Sequence, residues 1–310
     1  MSPQRRTFVL PLLFIGMLAP PGPDFSVDGN EILDRVRDRF MDAQKAARWA
    51  EDHAGYADKI QDRVSFRDAT RRILTELETS HTEYYTPDDP GYHDLLAIFE
   101  PVLERDPRTE SLGFAAVERN GGWFVLRVFV NGPAEAAGLR RGERIVSADG
   151  EPFHPKRSLQ GKAGKEVALE VQSRRGEAPR TVHFKARFIN PKDEWLQDQG
   201  AGSRVLESKG RHIAYAPLWS CAGTEHQQLL KEIMAGAFAE ADALIIDFRG
   251  GWGGCDPGFV QLFDPAAPDL IRIDRDGTKT TYSPSWRKPL AVLIDSGTRS
   301  GKEVVSRALQ

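Results

Sequence analysis

Two cysteines, Cys221 and Cys255, are all that the 310 residues contain. That excludes a disulfide-scaffolded fold and a four-cysteine zinc site, and leaves room for one disulfide at most. None of the seven histidines (His53, His81, His93, His154, His183, His212, His226) forms an i, i+4 pair around a glutamate, so the helical zinc-peptidase motif is absent. Charge of one sign is not in excess. The 45 acidic and 42 basic side chains give a net charge of −3, which implies no overall pull toward nucleic acid. No low-complexity tract is present. What remains is a globular composition, 40% hydrophobic and 28% charged, in a chain long enough for two or three domains.

The apolar run Phe8–Ala19 is too short to span a bilayer as a stable helix. Arg5 and Arg6 precede it and Pro20-Pro21-Gly22-Pro23 breaks the chain after it, so residues 1–27 read as an export signal. No clean Ala-x-Ala cleavage site follows, so an uncleaved N-terminal anchor stays open, as does a buried terminal strand or helix. From about 30 to 80 the pattern is helical. Ile32, Val36, Phe40, Ala43 and Ala47 share one face, and Ser65–Asp68 reads as a capping box for a second helix carrying Ala69, Ile73, Leu74 and Leu77. That helix ends at the polar cluster Thr79-Ser80-His81-Thr82.

Between about 110 and 188 the period shortens to two. Trp123–Val130 reads as a strand, Pro133–Ala137 as a short helix closed by Gly138, and Gly142–Gly150 as a strand ending in an Asp-Gly turn. Further strands are expected at 166–171 and 181–186. Gly132-Pro133-Ala134-Glu135-Ala136-Ala137-Gly138-Leu139, then Gly142, Ile145-Val146 and Asp149-Gly150, resemble a PDZ domain. Ser111-Leu112-Gly113-Phe114 sits where such domains hold a peptide's terminal carboxylate, which implies peptide binding through Leu112, Gly113 and Phe114. A small β-domain without a ligand is the plain alternative.

The last third reads as α/β. His212–Leu218, Ala243–Asp247 and Leu290–Ile294 are buried-strand candidates, and Thr224 opens a helix with Leu229, Leu230, Ile233 and Met234. After the second strand, Arg249-Gly250-Gly251-Trp252-Gly253-Gly254 lacks the Lys-Ser/Thr ending of a P-loop. It also fails the dinucleotide fingerprint, which needs a glycine where Asp256 stands. Its backbone N–H groups could stabilise an oxyanion, or the loop could be a tight structural turn. Ser300 follows the third strand and opens a helix, as an acyl-transfer nucleophile would. Ser300 and Glu303 also form a Ser-x-x-Glu capping box that needs no catalysis to explain it.

Taken in order, Leu77–Thr82, the PDZ-like stretch, Asp247–Gly254 and Gly297-Thr298-Arg299-Ser300-Gly301-Lys302-Glu303 resemble the C-terminal-processing (tail-specific) serine peptidases, with features closer to the tricorn-like members. The resemblance implies a multidomain α+β and α/β chain. It would comprise a helical N-terminal domain (28–105), a PDZ β-domain (106–190) and a ClpP/crotonase-like α/β catalytic domain (191–310) that stops short of the family's full length. It also implies a serine endopeptidase acting on protein or peptide substrates, with no cofactor, metal or nucleic acid, and membrane contact only through an uncleaved N-terminal segment. The cell site implied is the periplasm or the extracellular space. Ser300 falls on the nucleophile, Glu303 on a common motif glutamate, and Gly301 with Gly253 or Gly254 on the oxyanion hole. Ser80-His81 falls on the Ser-His pair that supplies the base in tricorn-type members, while many other members use a lysine beyond the serine. Lys302, two residues on, is expected to point away around the helix. The same fold also serves non-catalytic ligand-binding relatives.

Overall fold

The computed structural model describes residues 24–282 and 285–310. Most of the N-terminal basic and apolar segment read as an export signal, residues 1–23, lies outside them. No helix among the described residues is long and apolar enough to cross a membrane. The chain divides into two compact units, one ending at Thr86 and one beginning at Pro87.

The first unit consists of α1 (Phe25–Arg39), α2 (Ala43–Asp52) and α3 (Arg63–Thr75). Each begins where an aspartate accepts a first-turn N–H: Asp24 from Ser26, Asp42 from Lys45 and Asp62 from Ser65. The third helix therefore starts ahead of the expected Ser65–Asp68 box. Asp42 also restarts the helical phase after Phe40, so the expected face is not continuous. Ala46, Trp49 and Ala50 are buried, whereas Ala43 is exposed. Leu33, Trp49, Ile73, Leu74 and Leu77 form the core, and the Trp49 indole donates to the Ile73 carbonyl at 2.8 Å.

The second unit opens with α4 (Tyr92–Ile98) and α5 (Glu100–Leu103). A short pair, β1 (Thr109–Ser111) with β8 (Arg187–Ile189), brackets a larger antiparallel sheet. That sheet has the order β2 (Phe114–Arg119), β3 (Gly122–Val128), β4 (Arg144–Ala148), β6 (Glu166–Gln172) and β7 (Arg180–Lys185). The short helix α6 (Pro133–Ala136) follows β3, and β5 (Glu151–Pro152) pairs β4. Asp149 and Gly150 both have positive φ, so the Asp-Gly pair makes the expected hairpin turn. Inward residues Val167, Leu169 and Val171 alternate with outward ones along β6 and fill the core.

Helix α7 (Pro191–Gly202) leads to a second sheet of order β14 (Leu290–Leu293), β11 (Ala243–Asp247), β10 (Arg211–Pro217) and β9 (Arg204–Ser208). β10, β11 and β14 are parallel, while β9 joins as an antiparallel edge. Helix α8 (Glu225–Ala235) crosses from β10 to β11. A 3₁₀ segment (Pro257–Phe263) and a hairpin of β12 (Leu270–Ile273) and β13 (Lys279–Tyr282) lie between β11 and β14. Leu230, Leu244, Ile246, Phe248, Phe259 and Val305 make one core that ties α8 and the C-terminal helix α9 (Gly301–Leu309) to the sheet. A Cys221–Cys255 disulfide links the loop after β10 to the loop after β11. In the chain-entropy account, closing such a loop stabilises the fold by about 3–4 kcal/mol.

At the carboxyl ends of these strands a cation is buried. Lys302 is 0% exposed, and its ammonium donates to the carbonyls of Trp219 at 2.9 Å, Gly250 at 3.0 Å and Phe248 at 3.5 Å. Burial pulls the amine down to about 7, helped by nearby Arg127 and opposed by Asp247 and Asp295. Unfolding restores the ordinary value of 10.5. The unfolded chain thus binds the extra proton between pH 7 and 10.5, and this group makes stability rise with pH across that window. Lys302→Met is expected to lower stability by about 2–4 kcal/mol, since it strands buried carbonyls. Denaturant titrations of both proteins from pH 7 to 9.5 should show the gap widening; a constant gap would mean that the ammonium stays charged throughout.

Candidate active site

Two loops meet at the carboxyl end of the parallel sheet, and the sequence makes each one bend. After β11, Gly250 and Gly251 adopt φ of +64° and +66°. A Cβ on Gly251 would fall 2.0 Å from the Trp219 carbonyl oxygen, so only glycine allows this approach. After β14, Asp295 accepts the N–H groups of Gly250 and Gly297 at 2.9 Å each, and the Thr298 hydroxyl donates to the Phe248 carbonyl at 3.1 Å. These bonds clamp the serine turn to the glycine-rich loop from both sides.

The clamp brings Ser300, Gly301 and Gly253 together. A Cβ on Gly253 would lie 2.6 Å from Ser300 Cβ and 2.9 Å from Gly301 N, and one on Gly301 would lie 2.6 Å from Cys255 N. A Cβ on Gly254 would instead fall 2.6 Å from Ala222 Cβ, and Gly254 is exposed. Among the described residues, the N–H groups of Gly253, Gly254 and Gly301 have no hydrogen-bond acceptor. Ser300 is half-buried and has φ of +57° and ψ of −131°. A non-glycine residue held there carries about 1–3 kcal/mol of backbone strain, a feature concentrated at functional turns. The Glu303 carboxylate accepts the Ser300 N–H at 2.6 Å, and the Glu303 N–H donates to the Ser300 carbonyl at 2.8 Å. The Glu303 half of the capping box read from the sequence is therefore formed, and it holds the serine at the N-terminus of α9.

Further anchors were not legible in the sequence. Trp252, in the middle of the glycine-rich loop, donates its indole N–H to Asp94 of α4 at 2.8 Å and lies under the Arg299 guanidinium. Asp247 accepts Arg249 through both oxygens, at 2.8 and 2.6 Å, and also the Tyr215 hydroxyl at 2.7 Å. Those bonds hold its carboxyl below the usual range despite its burial. The spacing from Ser300 predicts a Lys302 side chain turned away around the helix, and the structure differs. The Lys302 ammonium ends beneath the loop, on the carbonyls described above. The only sign in the sequence is a lysine placed where a helix turn faces the core.

In the first unit, the Ser80 hydroxyl and His81 Nδ1 are 2.7 Å apart, on the exposed loop that follows α3. A proton on Nδ1 would leave Nε2 as a lone-pair acceptor. In the second unit, Leu112 and Gly113 are buried and Phe114 is half-buried at the start of β2, the outer strand of its sheet. Gly113 has φ of +82° and its N–H donates to the Ser111 hydroxyl at 2.9 Å, while Ser111 in turn donates to Glu194. That loop is thus braced from beneath, and one of its three N–H groups is already engaged.

Residues 212–310 match the family model for peptidase family S41, and residues 124–173 match that for a PDZ domain. The carboxy-terminal processing protease CtpB of Bacillus subtilis (strain 168) is 23% identical over 296 residues, covering 89% of this chain and 57% of its own length. The chloroplastic C-terminal processing peptidase of Tetradesmus obliquus is 27% identical over 276 residues, covering 80% and 56%. Among solved structures, the photosystem II D1 C-terminal processing protease aligns with a TM-score of 0.49 and 22% identity over 93% of this chain and 78% of that one. The tricorn protease aligns at 0.48 and 16%, over 92% and 28%. The chain spans about half the length of the curated relatives it matches. The chain thus carries a peptidase family S41 domain at residues 212–310 and a PDZ domain at residues 124–173.

Proposed function

We propose that this protein is a serine endopeptidase that cleaves protein or peptide substrates, with Ser300 as its nucleophile. The observation that carries the reading is the backbone of Ser300, held at positive φ between β14 and α9 and packed against Gly253. Such a turn exposes a hydroxyl beside a helix N-terminus. Ser300 Oγ attacks the scissile carbonyl, and the resulting oxyanion is met by the N–H of Gly301 with that of Gly253 or Gly254. His81, oriented by Ser80, takes the serine proton and returns it to the leaving amine. Glu303 keeps the turn closed. The PDZ domain recognises substrate C-termini, the added peptide lying along the free edge of β2 with its carboxylate toward Leu112–Phe114. The Cys221–Cys255 pair suits an oxidising compartment, in keeping with an exported protein of the periplasm or extracellular space.

A fluorophosphonate probe should label the wild-type chain at Ser300, identified by peptide mass mapping, and should leave Ser300→Ala unlabelled. Absence of labelling in the folded wild type would favour the non-catalytic, ligand-binding alternative. Gly253→Ala drives a methyl group into Ser300 Cβ and shifts the N–H beside it, so labelling should slow by about 10²–10³-fold, as for the loss of one oxyanion donor. His81→Ala should slow labelling by about 10²–10⁴-fold, the usual worth of a general base. A wild-type rate in that variant would assign the base to another residue.

A further inference from the structure

A cleft of about 250 Å³ opens beside Gly250 in the second unit, at the carboxyl end of the parallel sheet. One wall is β3 of the PDZ domain, from Leu126 to Val128; the other is formed by Tyr215, Pro217 and Trp219. Four arginines line it, Arg127, Arg141, Arg204 and Arg249, against two carboxylates, Asp247 and Asp295. Both carboxylates already accept hydrogen bonds, Asp295 through one oxygen only. Asp247 holds Arg249 and Tyr215, and Asp295 holds two backbone N–H groups. Two of the arginines are fixed in advance. Arg127 gives Nε and Nη2 to Asp198, which is fully buried, and Arg249 gives Nε and Nη2 to Asp247. Among the described residues the Nη1 of each has no partner, so each presents a donor whose plane is already set. The other two supply uncompensated charge. Arg204 lies over the Tyr215 ring and donates Nη1 to the Gly202 carbonyl at 3.0 Å, and among the described residues neither it nor Arg141 has a carboxylate partner.

A rigid pair of donors within a positive rim is complementary to a carboxylate, and ordering groups that are already ordered costs little. The volume falls below the roughly 300–1,000 Å³ of a site for a drug-sized ligand, so the cleft holds about one residue. We propose that it is an anion subsite for the peptide substrate, receiving a carboxylate from either a chain terminus or an acidic side chain. This rests on the peptidase reading, from which the peptide nature of the ligand is taken.

The test is calorimetric titration of the 310-residue Ser300→Ala chain, which needs no turnover. The probes are N-acetylalanine, N-acetylglutamate α-amide and the neutral N-acetylalaninamide. At least one charged probe should bind about tenfold more tightly than the neutral one. A preference for the first marks a terminal carboxylate, and for the second an acidic side chain. In Arg141→Gln/Arg204→Gln that preference should fall to about twofold, while Arg141→Lys/Arg204→Lys should restore most of it. Equal binding of charged and neutral probes would overturn the proposal, as would a preference that survives the glutamine pair, since the carboxylate would then be held elsewhere. Failure of fluorophosphonate labelling with the charge preference intact would sink only the catalytic reading.

Discussion

The ammonium of Lys302 is buried where the loops after β10 and β11 approach the serine turn, and the geometry of the site depends on how that charge is satisfied. Isolated in protein, it would be untenable, because removing an ion from water costs several kcal/mol even after relaxation. Its three N–H donors meet carbonyls from Trp219, Phe248 and Gly250, which belong to two separate loops. Asp247 and Asp295 lie close enough to favour the charged form. The cation therefore pulls backbone from both loops toward the first turn of α9. Moving any of the three segments would leave either a buried carbonyl or a buried charge unpaired.

Around that point the two loops approach as bare backbone. Gly253 against Ser300, Gly297 against Gly250 and Gly301 against Cys255 leave no space for a Cβ. Their contact is close-packed and short of side-chain freedom, which suits groups that must hold still while charge develops. The strained turn at Ser300 persists because the Glu303 carboxylate, the Asp295 clamp and the disulfide-linked loop over-determine it. Trp252 extends the same restraint outward to Asp94 of α4.

Much of this architecture was legible because alternation and buried apolar runs are local signals. The strands expected at 166–171 and 181–186 form at Glu166–Gln172 and Arg180–Lys185, and the three parallel strands lie where their apolar runs were read. Helix α7 was not legible, because the residues it buries include Glu194, Asp198 and Gln199, whose polarity hides the helical period. Strand β9 was missed for a different reason. It is an exposed edge with no inward-facing set. The first helical face failed because Asp42 caps a new helix and resets its phase.

The order of modules, the residue types at the serine turn and the glycines that permit a close approach are all legible in the chain before it folds. Those follow from backbone propensity and motif, which act within a few residues. It is packing that sets Gly253 against Ser300, joins Cys221 to Cys255, and turns Lys302 inward to carbonyls some fifty and eighty residues away. Packing also gathers four arginines from separate segments around one cleft. Partners so distant in the chain leave no periodic trace, because their pairing is fixed by the need to satisfy buried charge and polar backbone once the sheets have packed.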